Sequence, residues 1–125
     1  MQLVEQPAGG NPVRRIGTGV VTVGNTDHRR SVVVSAEHVI AEWPVDRVDA
    51  IDDVAIGAIL DCAPEVVLLG TGARQVFPAA RVAAAFLTRG IGFEAMDNAA
   101  AARTYNVLLT EGRRVVVAFI LGATG

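Results

Sequence analysis

Two short runs constrain this chain more than any other feature. Val66-Val67-Leu68-Leu69 and Val115-Val116-Val117-Ala118-Phe119-Ile120-Leu121 are apolar at every position. A strand with one wet face alternates apolar and polar side chains, so a strand with no polar position needs cover on both faces. Helical spacing supplies that cover. Ile51, Ala55, Ala58, Ile59 and Cys62 recur at helical intervals behind Asp49, Asp52 and Asp53, acids that suit a helix start. Pro64 ends this helix. Pro78 fits the first position of a second helix, whose inner face is Val82, Ala85 and Phe86 and whose end is Gly90. Ile91 to Ala95 reads as a strand. Asp97 or Asn98 caps a third helix over 99–110, with Ala102, Tyr105, Leu108 and Leu109 inward and Gly112 closing it. Helix, strand, helix, strand, helix, strand is the order of an α/β fold: a compact three-layer single domain with a largely parallel or mixed central sheet and helices on both faces.

The first third is rich in β-hairpin signals. Residues 1–12, with Pro7, Gly9, Gly10 and Pro12, read as a flexible leader, which leaves 13–125 as the single α/β domain. Ile16 to Val23, the turn Gly24-Asn25-Thr26-Asp27 and His28 to Ser35 predict a hairpin with a four-residue loop. Ala36 to Trp43 follows as a third extended piece, stopped by Pro44. These strands either extend the central sheet or lie beside it.

Composition closes off several classes of chemistry. A chain of 125 residues with 51% apolar side chains can bury about two-thirds of its surface without a disulfide or a metal. Its one cysteine, Cys62, excludes an internal disulfide framework and falls on an apolar helix face, where a thiol is core. All eleven basic residues are arginines, which removes Schiff-base chemistry and a phosphate-loop lysine. A net charge of −2 argues against a nucleic-acid binder. The apolar runs are too short for a transmembrane segment, the first ten residues lack a signal-peptide core, and the chain reads as soluble and cytoplasmic.

No catalytic constellation is present. Ser31 and Ser35 lie in no nucleophile elbow. His28 and His38 form no metal-ligand spacing, so neither a metal nor a cofactor is expected. Two polar clusters stand out. Gly70-Thr71-Gly72, with Arg74 nearby, sits between a strand and a helix, where open α/β sheets bind ligands; a tight structural turn is the simpler reading of it. It is not a dinucleotide fingerprint, because Gln75 stands where a glycine is needed. Asp97 with Arg103-Thr104-Tyr105-Asn106 is the second cluster, and it reads either as a polar network tying the helix to a loop or as a recognition face. Asn106 has no propensity reason to stand in mid-helix. The residues of both clusters are the candidates for a ligand or partner cleft, and the fold decides whether they meet in one site.

The succession Val66 to Gly72, Gly90-Ile91-Gly92-Phe93-Glu94-Ala95-Met96-Asp97, Ala102 to Leu108 and Glu111-Gly112-Arg113 resembles a small archaeal and bacterial family of unknown function. That family also includes the human adipogenesis-associated domain protein and the mitochondrial assembly factor three of the NADH dehydrogenase (complex I) alpha subcomplex. The resemblance implies a three-layer α/β fold, no established enzymatic activity, and action through protein contacts. It matches the family's recurring motifs at Gly70, Thr71, Gly72, Asp97, Arg103, Thr104, Tyr105 and Asn106, and carries over no catalytic residue. The leading expectation is a non-enzymatic interaction protein with an unknown protein partner, aiding assembly of membrane-associated complexes. The alternative is a small-molecule or anion-binding α/β domain with weak enzymatic activity. The chain itself is expected to be a monomer or a weak homodimer.

Overall fold

The computed structural model describes residues 10–122. A three-stranded antiparallel sheet is formed by β1 (Val13–Gly17), β2 (Val20–Val23) and β3 (Thr26–His28). The larger sheet has five strands: β4 (Val32–Val34), β5 (Val39–Ile40), β6 (Val66–Gly70), β7 (Gly92–Met96) and β8 (Val115–Phe119), in the order β5-β4-β8-β6-β7. β6 runs parallel to both β7 and β8, while β4 is antiparallel to β8 and β5. The helices are α1 (Asp53–Leu60), α2 (Ala80–Leu87) and α3 (Asn98–Thr110). The fold is thus the mixed α/β single domain that the alternation predicts.

The two apolar runs become the neighbouring central strands β6 and β8, and every residue of β8 is buried. Their side chains divide between two cores. Val67, Leu69, Val116 and Ala118 face α1, α2 and Trp43; Leu68, Val115, Val117 and Phe119 face α3 and the small sheet. One face is therefore covered by two helices, and the other by one helix with three strands. That is why neither strand carries a polar position.

The N-terminal third both extends the large sheet and lies beside it, with a correction to the expected hairpin. The turn after Gly24 joins β2 to a strand that stops at His28, and Val32 to Val34 cross into the other sheet, beside β8. A triple valine needs two covered faces, and only the large sheet provides them. The third extended piece shrinks to the two residues of β5. Of the expected leader, residues 1–9 lie outside the described residues, while the Asn11 carboxamide donates to the carbonyl of Ser35 at 2.8 Å. Pro78 stands one residue before the α2 N-cap, because Ala79 keeps an extended ψ of 147° and the helix begins at Ala80. Gly90 and Gly112 end α2 and α3 in the left-handed conformation, at φ 74° and 78°.

Candidate functional site

The loop after β6 is built from its own polar groups. The Thr71 hydroxyl donates to the Arg74 carbonyl at 2.6 Å and accepts from the Val76 N–H at 3.0 Å. Thr71 N–H bonds the Met96 carbonyl at 2.9 Å. Gly72 sits at φ 105°, where a side chain would be strained, and its N–H reaches Asn98 Oδ1 at 3.1 Å. Gly70 is required for space: a Cβ there would collide with the Asn98 carboxamide and lie 3.0 Å from the Phe119 ring. The Gly-Thr-Gly motif is therefore accounted for by the turn it makes, and Arg74 extends from that turn into solvent.

Asp97 caps α3, accepting the Ala100 N–H at 2.8 Å. Asn98, next along, is 5% exposed, and both ends of its carboxamide are hydrogen-bonded. Its Nδ2 donates to the Ile120 carbonyl at 3.2 Å, and its own N–H bonds the Gly72 carbonyl at 2.8 Å. The carboxyl ends of β6 and β8 are thus fastened together through the start of α3.

The second half of the motif does different work. Arg103 lies about 9 Å along the helix axis from Asp97, and Asn106 about 4.5 Å further, a little under one turn. Tyr105 is fully buried and its hydroxyl donates to the Asn11 carbonyl at 2.8 Å; burial drives its pKa well above the ordinary phenol value. Asn106 accepts the Val13 N–H at 3.0 Å and donates to the Val13 carbonyl at 2.7 Å, so its carboxamide imitates a neighbouring strand. This explains the mid-helix asparagine: it docks β1, and with it the small sheet, on α3. Thr104 is half-buried, and Arg103 is exposed with no hydrogen-bond or ion-pair partner among the described residues. Gly70, Thr71, Gly72, Arg74 and Asp97 gather at one sheet edge; Tyr105 and Asn106 face the N-terminal strand. The two clusters do not form one cleft.

A cleft of ≈ 550 Å³ does open at the first cluster. Its floor is Thr71 and Gly72 after β6 and Ile120 and Gly122 after β8; its walls come from residues 46–49 and 76–82. Arg47, Arg74 and Arg81 border it, with Val76 and Phe77 at the lip, 42% and 77% exposed. Arg47 is paired with Asp49 at 2.6 Å, and the Arg81 guanidinium donates to the Ile51 carbonyl. Sequence reasoning missed Arg47, Arg81 and Phe77, since nothing local links three segments that only the fold assembles. The only advance signal for Phe77 was an aromatic residue in a loop. Elsewhere, Cys62 lies just past α1, half-buried, its thiol pKa raised first by burial and then by the Asp61 charge. Among the described residues no group of histidine, cysteine and carboxylate side chains could hold a metal ion, and no helix is long and apolar enough to cross a membrane.

Comparison with known proteins places these observations. A solved structure from Xanthomonas campestris superimposes with a TM-score of 0.83 at 43% identity, over 92% of this chain and 87% of that one. A Bordetella pertussis protein described as a Mth938-like domain gives 0.77 at 35% identity, over 97% and 92%. A Francisella tularensis protein named "13 kDa major membrane protein" is 28% identical over 100 residues, 79% of this chain and 80% of its own. With the pattern of one family matching residues 13–120, the chain belongs to the family described as "Protein of unknown function (DUF498/DUF598)".

Proposed function

We propose that this is a non-catalytic interaction protein that acts in the cytoplasm by docking to a protein partner, in the service of membrane-associated assemblies. The observation that carries the reading is Phe77. An aromatic side chain with 77% of its surface in water has almost no neighbours of its own, and such a projection is suited to filling a pocket on a partner. Val76 beside it enlarges the apolar tip. The motif residues support the same reading, because Thr71, Asp97, Asn98, Tyr105 and Asn106 spend their polar atoms inside the fold and act as scaffold. The name of the Francisella relative supports a place beside a membrane, and kinship with the complex I assembly factor and the human adipogenesis-associated domain protein is part of the same proposal.

The test is site-specific photocrosslinking in cells. A photoreactive phenylalanine analogue at position 77 is expected to capture one discrete protein, and the same analogue at Val107, also exposed at 57%, is not. Adducts of equal yield at both positions, or none at 77, would remove the reading.

A further inference from the structure

We propose that the cleft at the carboxyl ends of β6 and β8 is a binding site for a small oxyanion carried on an apolar body, a phosphate monoester or a carboxylate. The inference goes beyond the docking reading and does not depend on it.

Topology comes first. The connection leaving β6 passes through α2 on one face to β7, while the connection leaving β7 passes through α3 on the opposite face to β8. The carboxyl ends of the neighbouring parallel strands β6 and β8 therefore lie side by side, with α2 on one face of the sheet and α3 on the other. In open α/β sheets ligands bind outside the carboxyl ends of the strands. The ≈ 550 Å³ cleft lies there, with residues following both strands in its floor, and its volume falls in the range of small-molecule sites.

Charge gives the ligand's sign. Three arginines border the cleft against Asp46 and Asp49; Arg47 and Asp49 pair with each other, which leaves Arg74 and Arg81 facing the single charge of Asp46. Arg81 is held in place by the Ile51 carbonyl, which uses one of its five donors and leaves the rest available. Arg74 has no side-chain partner among the described residues. α2 also begins at this cleft without a side-chain cap and with no acid in its first turn, whereas aspartates cap α1 and α3. An oxyanion at that end of α2 would meet unpaired N–H groups as well as guanidinium forks. Val76, Phe77 and Pro78 line the same mouth and supply an apolar wall, so the ligand is amphipathic rather than a bare ion.

The probes are phenyl phosphate, phenylacetate and inorganic phosphate, titrated into the full chain and followed by backbone amide shifts. The expected result is saturable movement of the Gly72–Gln75 and Ala80–Arg81 amides with phenyl phosphate or phenylacetate, and weaker movement with inorganic phosphate. Which of the first two binds more tightly separates a phosphate head from a carboxylate. Arg74→Gln, an exposed change that leaves the melting temperature unaltered, should weaken binding by about tenfold, the scale of one charge-assisted contact. Phe77→Ala should weaken phenyl phosphate and leave inorganic phosphate unchanged, and Arg103→Gln should do nothing. Absence of saturable shifts with all three probes, or equal binding by Arg74→Gln and the parent chain, would overturn the proposal.

Discussion

The carboxamide of Asn98 holds together three stretches of chain that are far apart in sequence. It accepts from Gly72, donates to Ile120, and leaves Gly70 no room for a side chain. A buried carboxamide with both ends satisfied costs little to keep, but removing it strands its partners. Asn98→Ala leaves the Gly72 N–H and the Ile120 carbonyl without those bonds, and a lost partner costs about 1–3 kcal/mol for each buried polar group. The expected loss is about 2–4 kcal/mol in chemical denaturation. Asn98→Asp keeps the acceptor toward Gly72 and loses the donor toward Ile120, so it should restore only part of the stability. An unchanged midpoint in Asn98→Ala would mean that water or neighbouring backbone replaces both bonds. Arg74 is the contrast: it stands a few residues from Gly72, yet no side-chain contact depends on it. Its substitution tests ligand affinity without disturbing the scaffold.

At the scale of elements, Glu65 sets the start of the parallel pair. Its carboxylate accepts from Arg113 Nε and from the Arg114 N–H, both at 3.0 Å, and its own N–H bonds the Arg114 carbonyl at 2.8 Å. β6 and β8 are thus registered where they begin. The backbone bond from Arg114, then the bond from Arg113, hold the Glu65 carboxyl below its ordinary 4.5. A depressed folded pKa means the unfolded chain takes up the proton first on acidification. The contribution is therefore fully present above the ordinary value and is lost as pH falls through the lowered one. The carboxylate is near the surface, so the effect is modest. Melting temperatures of the parent and Glu65→Gln should differ by a constant amount at neutral pH and converge in acid; a gap that persists in acid would mean that the bonds do not depend on charge.

The same scale shows what could be read from the chain. β6 and β8 were legible because a fully apolar run has few alternatives, and the Asp52 and Asp97 caps because an acid before an apolar face is a local signal. The destination of Val32 to Val34 was not legible, since the local turn signal ties the run to the preceding strand and the sheet that covers both its faces exists only once β8 has paired with it. Asn106 was visibly out of place in a helix, but its partner, Val13, lies 93 residues away. The cleft was half legible: its glycine loop announces itself, whereas Arg47, Phe77 and Arg81 become neighbours only after folding.

For the whole molecule, the consequence of one sheet shared by two cores is cooperativity. Alternate residues of β4, β6 and β8 supply both cores. Loss of α3 with the small sheet would expose Val32, Val34, Leu68, Val117 and Phe119, each at most 1% exposed when folded. A bare apolar face of that extent makes a half-folded state costly, so the layers should unfold together. The chain carries its own reporters, since its single tryptophan and single tyrosine lie in different cores: Trp43 beneath α1, donating to the Ala55 carbonyl at 3.2 Å, and Tyr105 within α3. In mild alkali, near the ordinary tyrosine pKa of 10.0, folded Tyr105 stays protonated because burial raises its pKa, and unfolded Tyr105 ionises. Phenolate absorbance then follows one layer in a urea titration while Trp43 fluorescence follows the other, and the two midpoints are expected to coincide. If Tyr105 ionises while Trp43 is still buried, α3 and the small sheet form a detachable layer, and the central strands tolerate water on a face that their sequence leaves wholly apolar.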